Sequence, residues 1–117
     1  MNYMTFKAGG NEYRMVLTTR AMVELEKKIG CNPIDILLRA QDGTTLPKVS
    51  DMIAILWSGL LKFNHGIKLE DCYDIFDNYL ADGHATIDFL GVMMELFQVS
   101  GIVAKEDASN PNVIEGK

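Results

Sequence analysis

Residues 49–63 read VSDMIAILWSGLLKF, and the reading of this stretch decides the fold. Met52, Ile53, Ile55, Leu56, Trp57, Leu60 and Leu61 cover nearly the full circumference of a helix and leave a thin stripe of Asp51, Ala54, Ser58 and Lys62. A helix that is apolar nearly all round belongs inside a protein, so the segment predicts the central member of a bundle, with Trp57 buried at its centre. The near-continuous apolar run from Met52 to Leu61 is about half of the roughly 20 residues needed to cross a bilayer, which favours a core helix over a membrane span.

Working outward toward the C-terminus, Asn64-His65-Gly66 breaks the central helix. Leu69 to Leu80 is then amphipathic, with Cys72, Ile75, Phe76, Tyr79 and Leu80 inward and Glu70, Asp71, Asp74 and Asp77 toward water. Asp82-Gly83 turns the chain into a last helix over about Thr86 to Gly101. That helix carries two apolar rows, one of Ile87, Leu90, Met94 and Phe97 and another of Phe89, Met93, Leu96 and Val103. Docking on one small core needs a single stripe, so one row is expected to serve a partner, and Phe89, Met93, Leu96, Phe97 and Val103 are the candidates. Lys105 to Lys117 is polar and predicts a flexible tail after a single globular domain over residues 1–104.

Toward the N-terminus, Gln41 to Lys48 reads as a loop, preceded by a short helix that Asn32-Pro33 starts and that runs to about Arg39. Before it, Thr18 or Thr19 caps a helix with Met22, Leu25 and Ile29 on one face, and Gly30 closes it. The chain opens with two alternating runs, Tyr3 to Lys7 and Glu12 to Leu17, around Ala8-Gly9-Gly10-Asn11, which is the signature of a β-hairpin. The expectation is therefore an α+β fold, mainly α, in which an N-terminal hairpin packs on a bundle of about five helices.

A chain of 117 residues suits one domain, and its apolar share of 48% with a charged share of 23% is ordinary for a globular protein. No basic start runs into an apolar stretch, so no secretory signal is read and a cytoplasmic location is expected. Cys31 and Cys72 lie far apart with no CxxC spacing and are expected to be small buried hydrophobes. The net charge of −5 is uneven: residues 1–50 carry seven basic against five acidic side chains, and residues 51–117 carry four against eleven. An acidic half repels a phosphate backbone, which argues against nucleic acid as a partner. The same asymmetry allows a salt-sensitive head-to-tail contact between copies, in which Lys27 and Lys28 face Glu70, Asp74 and Asp77, so a homo-oligomer is expected.

Catalytic and metal chemistry finds little support. The segment Ala81 to Phe89 looks like half of a calcium loop, but in that register Leu80 and Ala85 occupy positions that need an oxygen ligand and a glycine, and Gly91 stands where a bidentate Glu is required. His65, His84, Cys31 and Cys72 show no paired zinc spacing, and neither cysteine sits in a nucleophile turn. The acidic run Glu70 to Asp77 is a solvated helix face. No enzyme, cofactor or metal is expected. Seven methionines suit a surface that repacks against partners, so protein binding is the favoured class.

Two strings and their order carry a resemblance. Tyr13 to Gly30, YRMVLTTRAMVELEKKIG, takes a strand into a Thr-capped helix that ends in Gly, and Ile55 to Phe63, ILWSGLLKF, leads to the helix opening Leu69-Glu70-Asp71. Over about residues 4–103 this arrangement resembles the tail assembly chaperones of long-tailed bacteriophages, including their gene-transfer-agent branch. The resemblance implies a protein that binds the tape measure protein, recruits tail tube subunits around it and is absent from the finished virion. It further implies a short form and a frameshifted long form, and the closing Glu115-Gly116-Lys117 is compatible with a slippery codon run. The rival expectation is an interaction domain unrelated to phage, resting on the degenerate calcium-loop segment.

Overall fold

The computed structural model describes residues 2–104. Strands β1 (Met4–Ala8) and β2 (Asn11–Met15) pair antiparallel with Ala8 opposite Asn11, so Gly9 and Gly10 form a two-residue turn. Both glycines have positive φ, 61° and 81°, which is the backbone that the tightest hairpin loops demand. Alternation does the rest, since Met4, Phe6 and Ala8 point into the protein and Thr5 and Lys7 out.

Five α-helices follow among the described residues: α1 (Thr19–Ile29), α2 (Pro33–Gln41), α3 (Val49–Leu60), α4 (Leu69–Ala81) and α5 (Phe89–Val99), the last entered through a 3-10 turn at Thr86–Asp88. The expected α+β, mainly α architecture is the one found. Thr18 is the N-cap of α1, its Oγ1 accepting from Ala21 N at 3.1 Å, and Gly30 closes the helix with φ 73°. The side chain of Asn32 accepts from Ile34 N at 3.0 Å and Pro33 occupies the first turn of α2, as their types favour.

Helix α3 is the hub and packs against α1, α4, α5 and β2. Gly59 makes the closest of these approaches possible. A Cβ there would lie 2.7 Å from the Met15 methyl and 3.0 Å from a Leu96 methyl. With no side chain in the way, Val16 N donates to Gly59 O at 3.0 Å, satisfying one of the carbonyls that a helix end leaves open. The next residue is held as well: Leu17 N donates to Ser100 Oγ at 2.7 Å, and that hydroxyl donates to Leu96 O at 2.6 Å. The strand-to-helix link is thus stapled to the ends of α3 and α5.

Several expectations need correction. Helix α3 stops at Leu60 rather than Phe63, because Asn64 folds back and donates to Leu60 O from both its backbone and its side chain. Ala54 and Ser58, expected on a polar stripe, are buried, and the Ser58 hydroxyl is satisfied by Ile55 O at 3.0 Å. Trp57, expected at the centre, is only half-buried, with its indole N–H donating to Ile67 O at 3.3 Å. Cys31 is exposed, whereas Cys72 is buried. The last helix is shorter than Thr86–Gly101, since Asp88 accepts from Ala85 N and turns the first residues into a separate 3-10 turn. The tail expected over 105–117, with its proposed frameshift site, lies outside the described residues.

Candidate functional site

The row of α5 proposed for a partner is instead the floor of the core. Phe89, Met93, Leu96 and Phe97 are fully buried, and Val103 is half-buried. The Phe89 ring meets the edges of Phe6, Phe76 and Tyr79 at centroid distances of 6.1, 5.4 and 6.0 Å. The other row keeps some exposure: Ile87 is open to solvent and Leu90 and Met94 are half-buried. Both rows are equally apolar, so composition alone could not choose between them. The choice is made by α5 seating against α2, α3 and β1.

The carboxylates of the calcium-like segment have structural partners. Asp82 Oδ2 accepts from Gly9 N at 2.8 Å, latching the hairpin tip to the end of α4. Asp88 Oδ2 accepts from Ala85 N at 2.8 Å and lies 3.7 Å from His84 Nδ1. The His84 ring stacks on Tyr79 at 4.2 Å, and burial, followed by the charge of Asp88, raises the Tyr79 phenol above its ordinary value. Among the described residues no group of three or more His, Cys, Asp or Glu side chains is placed to hold a metal ion. Burial, with a smaller contribution from the charge of Asp71, pushes the Cys72 thiol up to about 12, which suits a packing residue and not a nucleophile.

The open surface lies on the other side of α3. Ser50, Ile53, Ala54, Trp57 and Leu61 recur at the spacing of one helix face and floor two hollows. The larger, about 720 Å³, is walled by Thr18, Arg20, Ala21 and Glu24 of the α1 edge and closed by Lys62 and His65. The smaller, about 250 Å³, is walled by Lys28 and Ile29 of α1 and by Leu69 and Tyr73 of α4. Lys28 joins the two, since its ammonium sits 5.3 Å from the centroid of the Trp57 ring. Ile53 and Ala54 are buried, so the apolar part of the floor open to a partner is Trp57 and Leu61, about one helical turn apart.

Charge is not evenly placed around these hollows. Arg20, Lys28, Lys62 and His65 surround Trp57 with Glu24 as the single acid lining the larger hollow. On α4, Glu70, Tyr73, Asp74 and Asp77 follow at i, i+3, i+4 and i+7, all exposed, with Tyr73 at 53%. The expected self-association residues are therefore on the surface: Lys27 and Lys28 at the end of α1, and Glu70, Asp74 and Asp77 along α4. Sequence reasoning missed Tyr73, Arg20 and Lys62. The first was legible as an aromatic interrupting an acidic stripe at helical spacing, whereas the other two gain meaning only from their nearness to Trp57.

No helix among the described residues is long and apolar enough to cross a membrane. No curated protein and no solved structure matches the chain. A family model described as a family of unknown function (DUF6096) matches residues 2–114, nearly the whole length, and the protein belongs to that family.

Proposed function

We propose that this protein is a non-enzymatic assembly chaperone of the phage-tail type, acting in the host cytoplasm. It binds the tape measure protein, recruits tail tube subunits and is absent from the mature virion. The observation that carries the reading is the C-terminal end of the α3 face, where Trp57 and Leu61 lie half-buried between polar walls instead of being sealed into the core. A half-covered aromatic and aliphatic pair one helical turn apart suits the anchor residues on the apolar face of an amphipathic helix. A long tape measure offers many such faces that must be shielded before the tube closes round it. Several copies acting along one partner, including a frameshifted long form, would cover it.

Co-expression with the very long protein encoded downstream of a tail tube gene, followed by size-exclusion chromatography, tests this reading. Co-elution is expected, as is its loss in Trp57→Ala. A gene neighbourhood without tube and tape measure genes sinks the phage assignment, and in that case the reading as an interaction domain unrelated to phage takes its place.

A further inference from the structure

We infer that the cleft around Trp57 on one copy receives the outward stripe of α4 on a second copy. The two surfaces are complementary in kind. The cleft offers an apolar floor, Trp57 and Leu61, under a rim of Arg20 and Lys62. The stripe offers one exposed aromatic, Tyr73, flanked by Asp74 and other acids at helical spacing. None of these charged groups makes an ion pair among the described residues, where the pairs are Lys7–Glu12, Arg39–Asp35 and His84–Asp88. In a chain of net charge −5, a basic rim around the single tryptophan has an obvious counterpart in the chain's own acidic helix. Tyr73 entering the cleft supplies the aromatic anchor that hot spots favour, and the charges set its direction.

Cleft and stripe are made of different residues, although Tyr73 also walls the smaller hollow beside the cleft, so the contact is heterologous: each copy keeps a free cleft and a free stripe. The inference rests on the reading of this protein as a binding module that acts in several copies: with no tape measure present the cleft holds a second copy's stripe, which a tape measure helix then displaces. Its test uses the chain alone, so it fails separately from any tape measure interaction.

Two variants make the test. One reverses the cleft with Arg20→Glu and Lys62→Glu, and the other reverses the stripe with Asp74→Lys and Asp77→Lys. Sedimentation velocity at low salt is expected to show concentration-dependent association of the natural chain, weakening by about tenfold or more as salt rises through the screening range. Each variant alone is expected to be a monomer. In their mixture the intact stripe of the first meets the intact cleft of the second, and the reversed cleft and reversed stripe are again opposite in sign, so mixing should restore the association that each variant alone has lost, with a blue shift in the emission of the sole tryptophan. A natural chain that stays monomeric overturns the inference, and so does a mixture that does not pair. Variants that associate as the natural chain does overturn the assignment of these surfaces. Binding of an unrelated acidic, Tyr-containing helical peptide to a chain that remains monomeric assigns the cleft to a foreign partner and likewise overturns it.

Discussion

The two sides of α3 differ in what packing has done with the same kind of residue. On one side Met52, Ile55, Leu56 and Leu60 are buried, and Gly59 brings Met15 and Leu96 so close that no further atom fits. On the other, Trp57 and Leu61 are left half-covered between α1 and the segment leading to α4. Both sides are apolar in the sequence. The difference teaches that apolar content marks where burial is wanted, while binding surface is what the neighbouring elements fail to cover.

That contrast breaks most sharply at Phe89, which closes the sealed side together with Phe6, Phe76 and Tyr79. Phe89→Ala should cost about 3 to 5 kcal/mol, because a full aromatic volume is removed from a site that cannot collapse. Urea melts showing a loss below about 1 kcal/mol would mean that the sealed side is not the core. Gly59→Val tests the same side by overfilling it. Here the expected loss is roughly 2 to 3 kcal/mol, read in the same melts, since the Met15 and Leu96 side chains must both give way inside a packed core.

Trp57→Ala sharpens the comparison from the open side. Part of its surface is already in contact with water, so the expected loss is about 1 to 2 kcal/mol, well below that of Phe89. A loss equal to that of Phe89 would place Trp57 in the core after all.

The buried Cys72 tests the sealed side in a titration. The Cys72 thiol is raised from 9.0 to about 12, so it contributes stability below pH 9, where folded and unfolded chains are both protonated. Between these values the unfolded chain releases the proton and the folded chain retains it, so stability falls as pH rises, by about 1.4 kcal/mol at pH 10. Tyr79, also raised, acts in the same direction at higher pH. Denaturation at pH 8 and pH 10 should show this loss in the natural chain and a smaller one in Cys72→Ala. Equal losses in the two proteins would remove Cys72 as its source. The smallest effect belongs to the rim: Arg20→Glu and Lys62→Glu should each shift stability by no more than about 0.5 kcal/mol, because both side chains are exposed and unpaired among the described residues. A larger loss in thermal melts of a dilute sample would show that the rim belongs to the fold and not to a contact surface.

Local signals in the sequence determined the elements themselves. Gly9-Gly10 required a tight hairpin turn, Thr18 and Asn32-Pro33 started α1 and α2, Gly30 ended α1, and the period of Cys72, Ile75, Phe76 and Tyr79 fixed which side of α4 turns inward. Each of these depends on a few neighbouring residues competing for nearby backbone groups or for one helix face, so a single chain carries the answer. Tertiary structure alone decided which row of α5 is buried, that Trp57 borders a cleft, that Cys31 is exposed, and that Arg20 and Lys62 line the hollow of Trp57 with Lys28 over its ring. The physical reason is that a helix with two apolar rows, or an aromatic in an apolar helix, can satisfy its local preferences in more than one orientation. The orientation is then set by the volume and reach of elements distant in the chain, such as Met15 and Leu96 closing on Gly59 from opposite ends of the sequence.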